Sequence, residues 1–146
     1  MTILPVVLFD DIELWATGRM RTLLAARGES YAAGVYVGNS RPSADAWKAA
    51  HPTSPYPTRM ITVRRDGGPR LDAVREAPRL GINVWGKTDQ EAGDLARLTA
   101  ALLWASPDGD PVCKVTITGG PYAVPDESTQ PRFYFTAELT SKGSDA

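Results

Sequence analysis

The chain has 146 residues, which is enough for one ordinary domain with its own core. Its 16 basic and 17 acidic side chains leave a formal net charge of −1, so it lacks the basic excess typical of proteins that grip nucleic acid. Cys113 is the single cysteine, which excludes an internal disulfide and an all-cysteine metal cage. The apolar start "MTILPVVLFDD" is too short to cross a bilayer and has no basic n-region, so no membrane partner is expected.

The first element is a predicted helix over residues 10–28, "DDIELWATGRMRTLLAARG". Asp10 is placed to cap it, with Glu13 three residues later in capping-box spacing, and Gly28 is placed to end it. One stripe of the helix is apolar and is predicted to face the core. It consists of Ile12, Trp15, Ala16, Met20, Leu23 and Leu24.

A short strand is predicted over residues 34–38, followed by a segment without periodicity. Residues 39–57 carry four prolines and are predicted to form a mobile arm or loop, with one turn of helix around 44–49. Alternation then predicts strands over residues 58–65 and 78–86. Their inward positions are Ile61, Val63, Leu80, Ile82 and Val84.

The second helix is predicted from the capping box that Thr88 and Glu91 form. Two further strands follow over residues 112–118 and 132–140, and residues 141–146 read as a frayed polar tail. The inward positions are predicted as Cys113, Val115 and Ile117 in the first strand, and Phe133, Phe135, Ala137 and Leu139 in the second.

The order α-β-β-β-α-β-β predicts one α+β domain over residues 1–146. Two helices with one apolar stripe each would pack on one face of a mostly antiparallel sheet, which gives two layers. No internal repeat or domain boundary is present in the sequence.

Two Gly-Gly pairs raise the question of a phosphate-binding loop. Such a loop needs glycines at set spacing between a strand and a helix N-terminus, and neither "RRDGGPR" nor "TITGGPY" has that spacing. Both pairs are therefore predicted to be turns in which glycine takes a positive φ.

No catalytic, cofactor or metal site is predicted. His51 is the single histidine and stands among prolines, while Cys113 is expected to be buried as a small apolar residue. The acidic group at Asp10, Asp11 and Glu13 is explained by its place at a helix start, and Asp126 and Glu127 by solvation in a loop.

Arginine is concentrated in one hairpin, and that bias suggests an interface. Arg64, Arg65 and Arg70 have a planar fork suited to carboxylates on another protein. A second long connection carries Tyr122, Asp126 and Glu127, so the two segments could be complementary between copies of the chain. The alternative is a solvated hairpin.

Several segments together resemble the tail terminator proteins of long-tailed bacteriophages. They are "ELWATGRMRTLLAARG", "MITVRRDGGP", "PRLGINVWGKTDQEAGDLARLTAALLWASPDGDPVCKV" and "GGPYAVPDESTQPRFYFTAELTSKG". The resemblance covers nearly the whole chain, and residues 39–57 are its least similar part. None of these segments is a catalytic motif, so the resemblance is to an assembly component.

The resemblance implies a small α+β subunit, without enzymatic activity, in a hexameric ring at the head-proximal end of the virion tail. Its expected partners are further copies of itself, the tail tube protein and the head-tail connector or head-completion protein. DNA would pass through the lumen without specific binding, and assembly would take place in the host cytoplasm. The alternatives are a head-completion or neck connector subunit, a tail-tube subunit, or a small-molecule-binding or enzymatic α+β domain.

Overall fold

The computed structural model describes residues 6–145, so the first five residues of the N-terminal stretch and Ala146 lie outside it. The helices are α1 (Ile12–Ala25), α2 (Ala44–Ala50) and α3 (Asp89–Trp104), with a 3-10 turn at Ser30–Ala32. The strands are β1 (Val7–Leu8), β2 (Tyr36–Gly38), β3 (Met60–Arg65), β4 (Arg75–Glu76), β5 (Arg79–Trp85), β6 (Val112–Val124), β7 (Arg132–Lys142) and β8 (Ser144–Asp145).

The main sheet has the order β2-β3-β5-β7, with β6 on the outer side of β7. Strand β4 continues the line of β5, because Arg75 faces Lys142 and Arg79 faces Glu138 in one unbroken register along β7. All pairs in this sheet are antiparallel except β2 with β3. The predicted two-layer α+β fold is confirmed.

Both long helices lie on the same face of the sheet. α1 packs on β2 and β3, and α3 packs on β5, β7 and β6. The strand side chains beneath them are buried, as predicted for β3, β5 and β7, and form the core with the apolar stripes of the helices. The core strand residues are Ile61, Val63, Leu80, Ile82, Val84, Phe135, Ala137 and Leu139.

The N-terminal cap of α1 differs from the prediction by one residue. Asp11, not Asp10, accepts a hydrogen bond from the Leu14 amide at 3.1 Å. The Glu13 carboxylate is drawn away from the helix end because it accepts the Arg65 amide of β3 at 2.6 Å. The predicted C-terminal glycine was also wrong, since the helix ends at Ala25 and is capped by Ala26.

The capping box of α3 is confirmed at Thr88, whose hydroxyl accepts the Glu91 amide at 3.1 Å. The Glu91 carboxylate reaches back one residue further than the motif requires and accepts the Lys87 amide at 2.7 Å. It also binds Arg59, so the start of α3 is tied to the start of β3.

Strand β6 is longer and less regular than predicted. The register against β7 shifts after Val112, between Ile117 and Gly119, and between Gly119 and Tyr122. The first shift turns Cys113 outward, so its predicted burial was wrong: Val112 and Val115 are buried and the Cys113 thiol is exposed. Gly119 and Gly120 lie inside the strand, so their prediction as a hairpin turn was also wrong, although Gly120 has the predicted positive φ, at 82°.

The ends of the chain form a separate ribbon of two short strands. Leu8 of β1 faces Ser144 of β8, and β7 runs to Lys142, two residues past the predicted strand end. The described part of the predicted tail therefore lies in strands.

Gly67 and Gly68 have the predicted positive φ, of 101° and 108°, but their prediction as the hairpin turn was wrong. Antiparallel pairing continues past them, with the Ala77 amide donating to the Pro69 carbonyl at 2.8 Å, and the hairpin closes at residues 71–75. A Cβ on Gly68 would overlap the carbonyl oxygen of Ala77, since the connection folds back against the start of β5. Gly68 is therefore required by conformation and by space, which is the reading that the sequence favoured over a phosphate loop.

We predict that Gly68→Ala destabilises the domain by more than the roughly 1–3 kcal/mol typical of left-handed strain alone. Gly109→Ala is the matched control, because Gly109 has a φ of 92° but no atom within 4 Å of a built Cβ. Chemical denaturation of both variants measures the difference. Equal losses in the free energy of unfolding would show that the backbone near Ala77 moves away from the new Cβ without a measurable cost in stability.

Candidate functional site

The six residues predicted to form an interface fall into an arginine group and an acidic group at opposite ends of the sheet, with Tyr122 between them opposite Tyr134. Arg64 and Arg65 close β3, and Arg70 lies in the connection that follows. Tyr122 is near the end of β6, and Asp126 and Glu127 lie in the turn between β6 and β7. Within one subunit the structure does not bring the two groups together.

Arg65 is occupied inside the subunit. Its guanidinium makes two parallel hydrogen bonds of 3.1 Å to the Glu76 carboxylate, which is 9% exposed. This bidentate pair fastens β3 to β4 across the connection. Charge reversal at Arg65 would therefore disturb the fold and would not test an interface cleanly.

Arg70 and Arg64 differ in whether their side chains make contacts inside the subunit. Arg70 lies over the Phe9 ring at 4.9 Å and donates to the Ala73 carbonyl at 3.2 Å, although it is exposed. Arg64 is exposed and makes no side-chain hydrogen bond or ion pair with any residue from 6 to 145. Of the three arginines, Arg64 is the one that could bind a partner without first breaking a contact within residues 6–145.

Asp126 is also an internal residue. Its side chain is 9% exposed, accepts from Arg41 at 3.2 Å and lies 3.6 Å from Arg132 Nε. Burial by itself would raise the pKa of Asp126, but hydrogen bonds from Ser128 and Arg41 lower it below its ordinary value. The neighbouring Glu127 is exposed and remains a candidate for contact with a partner.

Arg41 is the residue that sequence reasoning missed. From the arm it reaches the turn between β6 and β7, where it bonds Asp126 and, at 3.4 Å each, Ser128 and Gln130. Its guanidinium also lies over the Trp85 ring at 5.1 Å. This set of contacts, the Arg41 latch, holds residues 39–57 against the sheet.

Aromatic side chains give the arm a small packing centre of its own. The Trp47 ring of α2 stacks on His51 at 3.9 Å and meets Tyr36 and Tyr56 edge-on at 5.7 and 6.2 Å. Trp47 Nε1 donates to the Pro55 carbonyl at 3.0 Å. His51 is thus part of a packed aromatic group, and nothing arranges it as a base.

The face of the sheet opposite the helices, which we call the helix-free face, is rich in hydroxyl groups. Tyr122 and Tyr134 meet edge-on at 6.0 Å, and the hydroxyls of Thr118 and Thr136 are 2.8 Å apart. Burial, with the nearby charge of Asp66, raises the pKa of Tyr134. The exposed charges on and beside this face are of both signs. They include the cations Arg64, Arg79, Lys114 and Lys142 and the anions Asp66 and Glu138.

Among residues 6–145, no group of three His, Cys, Asp or Glu side chains is placed to hold a metal ion. No helix in that range is long and apolar enough to span a bilayer. No protein-family model matches the chain, and a search of curated proteins found no significant relative.

The Arg41 latch makes a direct prediction about the arm. Arg41→Met leaves Asp126 with one fewer partner and removes the stacking on Trp85, so we expect a loss of about 1–3 kcal/mol. Trypsin cleavage after the exposed Lys48 in α2 should become faster. Arg64→Met, which removes an arginine without internal partners, should change neither quantity, and an unchanged cleavage rate in Arg41→Met would exclude the latch.

The ion pair at the start of α3 predicts a pH dependence of stability. The hydrogen bond from Arg59 at 2.7 Å lowers the pKa of Glu91, against the opposing effect of burial. A lowered carboxyl pKa contributes stability above the unfolded value near ~4.3 and loses it as pH falls through the folded value.

Thermal unfolding of Glu91→Gln should therefore be less sensitive to pH between about 5 and 3 than that of the parent protein. Asp89→Asn is the control, since Asp89 is exposed in the same helical turn and has no ion pair within residues 6–145. A Glu91→Gln curve parallel to the parent curve would contradict the assignment.

Proposed function

We propose that this chain is a structural subunit of a long-tailed phage virion. It forms a ring, hexameric by resemblance, at the head-proximal end of the tail tube, ends tube polymerisation and presents the surface that joins the head connector. The observation that carries the proposal is the position, within the fold, of the segments that resemble tail terminator proteins. The similar segments form α1, β3, β5 with α3, and β6 with β7, which together are the core of the fold.

The architecture suits a ring subunit because ion pairs hold its long loops in fixed positions on the sheet. The connection after β3 is fastened by Arg65 and Glu76, and the arm is fastened by the Arg41 latch. Surface loops on a rigid sheet are the usual source of contacts between subunits. Head-to-tail contacts between such subunits close into a ring when the rotation permits.

The charge pattern suits a conduit for DNA. The whole chain has 16 basic and 17 acidic side chains and a net charge of −1. Strong binding of duplex DNA needs several cations that displace counterions from phosphates. A surface of mixed charge would let DNA pass without holding it.

Termination would follow from the two axial faces of the ring. One face would imitate the end of a tube subunit and add to the last tube ring. The opposite face would lack the surface on which tube subunits polymerise, so growth would stop there. That face is then left for the head connector.

Tail length in phage lacking the gene, measured by electron microscopy, tests this proposal. We expect overlong or widely variable tubes without heads, because nothing would stop addition of tube protein. Tails of normal length that fail to join heads would contradict termination and favour a neck subunit. Long tubes formed by this purified protein alone would instead identify a tube subunit.

A further inference from the structure

An exposed tryptophan lies at one edge of the helix layer. Trp104 is the last residue of α3 and is 65% exposed, and its indole N–H has no partner within residues 6–145. It shares the helical side of Gly93, which faces Phe133 of β7 near the outer strand β6. Exposed tryptophan is common at the centre of protein interfaces, where it contributes a large share of the binding energy.

A groove lies at the opposite edge, between α1 and the outer strand β2. Its volume is about 240 Å³, and its lining includes Asp11, Glu13, Leu14, Arg21, Tyr36 and Asn39. Leu14 is 66% exposed there although it is a large apolar residue. Leu14 gives this otherwise polar groove one exposed apolar wall.

The groove and the tryptophan are chemically complementary. An indole is an apolar plate with one donor, and the groove offers the Leu14 side chain together with carboxylate and amide oxygens. Oδ1 of Asp11 accepts the Leu14 amide, which leaves Oδ2 free for a further donor. Asp10 and Asp11 are exposed beside the groove, and Arg97, which pairs with Asp94, is an exposed cation on the side of α3 that carries Trp104.

The sheet edges themselves are poorly suited to joining copies by strand pairing. β6 carries three register shifts and Pro121, all of which interrupt a regular edge. At the other edge the outward carbonyl of Val37 in β2 already accepts two hydrogen bonds from Arg21, at 2.9 and 3.2 Å. Contacts between copies at these edges must therefore be made by side chains.

We infer that Trp104 of one copy inserts into the groove between α1 and β2 of a second copy. Each copy has the tryptophan on one edge and the groove on the other, so it can give and receive the contact at once. Both features also lie toward the end of the sheet where β3 finishes and β6 begins. The contact is head-to-tail, and it rests on the proposed function because it would be the lateral contact of the ring.

Cross-linking between engineered cysteines tests this contact. In a Cys113→Ser background, Ala105→Cys stands beside Trp104 and Ser40→Cys stands beside the groove, and both parent residues are exposed. With a short bis-maleimide, the double variant should give a ladder that ends at the ring. Either cysteine alone can give at most a dimer.

Adding Trp104→Ala to the double variant should abolish the ladder and weaken self-association about thirtyfold or more, as expected for a central tryptophan. Trp104→Phe in place of Trp104→Ala should keep part of the ladder, because an aromatic side chain remains while the indole N–H is lost. Leu71→Ala, which removes an exposed apolar side chain from the connection between β3 and β4, is the control and should keep the ladder. Unchanged circular dichroism and melting temperature show that each variant is folded.

The outcomes separate this contact from the ring itself. Assembly that persists in Trp104→Ala by native mass spectrometry would overturn the contact and leave the ring intact. Dimers alone from the double variant would overturn the head-to-tail geometry. A monomer without any ladder at millimolar concentration would overturn the contact in the free protein, while the tail-length experiment judges termination independently.

Discussion

The rest of the structure depends on the hydrogen-bonded position of β7 between β5 and β6. Its inward residues Phe135, Ala137 and Leu139 are fully buried under α3. Its register with β5 continues into β4 on one side, and β6 pairs with it on the other. After Gly143, whose amide donates to the Val74 carbonyl, the chain continues into β8, so β7 fixes the position of β4, β5, β6 and β8. A one-residue slip of β7 would turn this apolar row to solvent, which makes the register strongly specified.

Buried or half-buried ion pairs then attach the irregular segments to this frame. Arg41 with Asp126 holds the arm, Arg59 with Glu91 holds the start of α3, and Arg65 with Glu76 holds the connection after β3. The partners are 85, 32 and 11 residues apart in the sequence, and the carboxylate of each pair is 9–17% exposed. Removing one partner would leave a charge that water reaches poorly, so these pairs set the positions of loops more than they add to stability.

Sequence patterns were sufficient for the elements whose burial is periodic. The stripes of α1 and α3 and the alternation of β3, β5 and β7 each depend on which residues face the core, and the two-layer fold follows from them. Cys113 and the Gly119–Gly120 pair were misplaced because a bulge inserts a residue without leaving a regular signal in the alternation. Asp10 was predicted as the cap because Glu13 follows it in capping-box spacing, but Glu13 accepts the Arg65 amide and Asp11 caps the helix.

The candidate surfaces were harder to predict for a related reason. Arg65 and Asp126 stood out as charged loop residues, yet each has an internal partner that is distant in sequence and invisible to pattern. Arg41 went unnoticed because a lone arginine among prolines carries no signal until Trp85 and Asp126 are brought to it. Long-range ion pairs are a tertiary property, and charge bias alone does not distinguish them from interfaces.

The positions of Trp104, the groove, Arg64 and Glu127 suggest that different surfaces of the proposed ring bind different partners. Trp104 and the groove beside Leu14 lie on opposite edges, where neighbouring copies would meet side by side. Arg64 and Glu127 lie near opposite ends of the strands, and neither has an ion pair within residues 6–145. Strand ends point away from a lateral contact, so these charges are better placed for the tube on one side and the head connector on the other. Arg64 and Glu127, one from each of the two groups first sought in the sequence, would then belong to different axial faces of the ring.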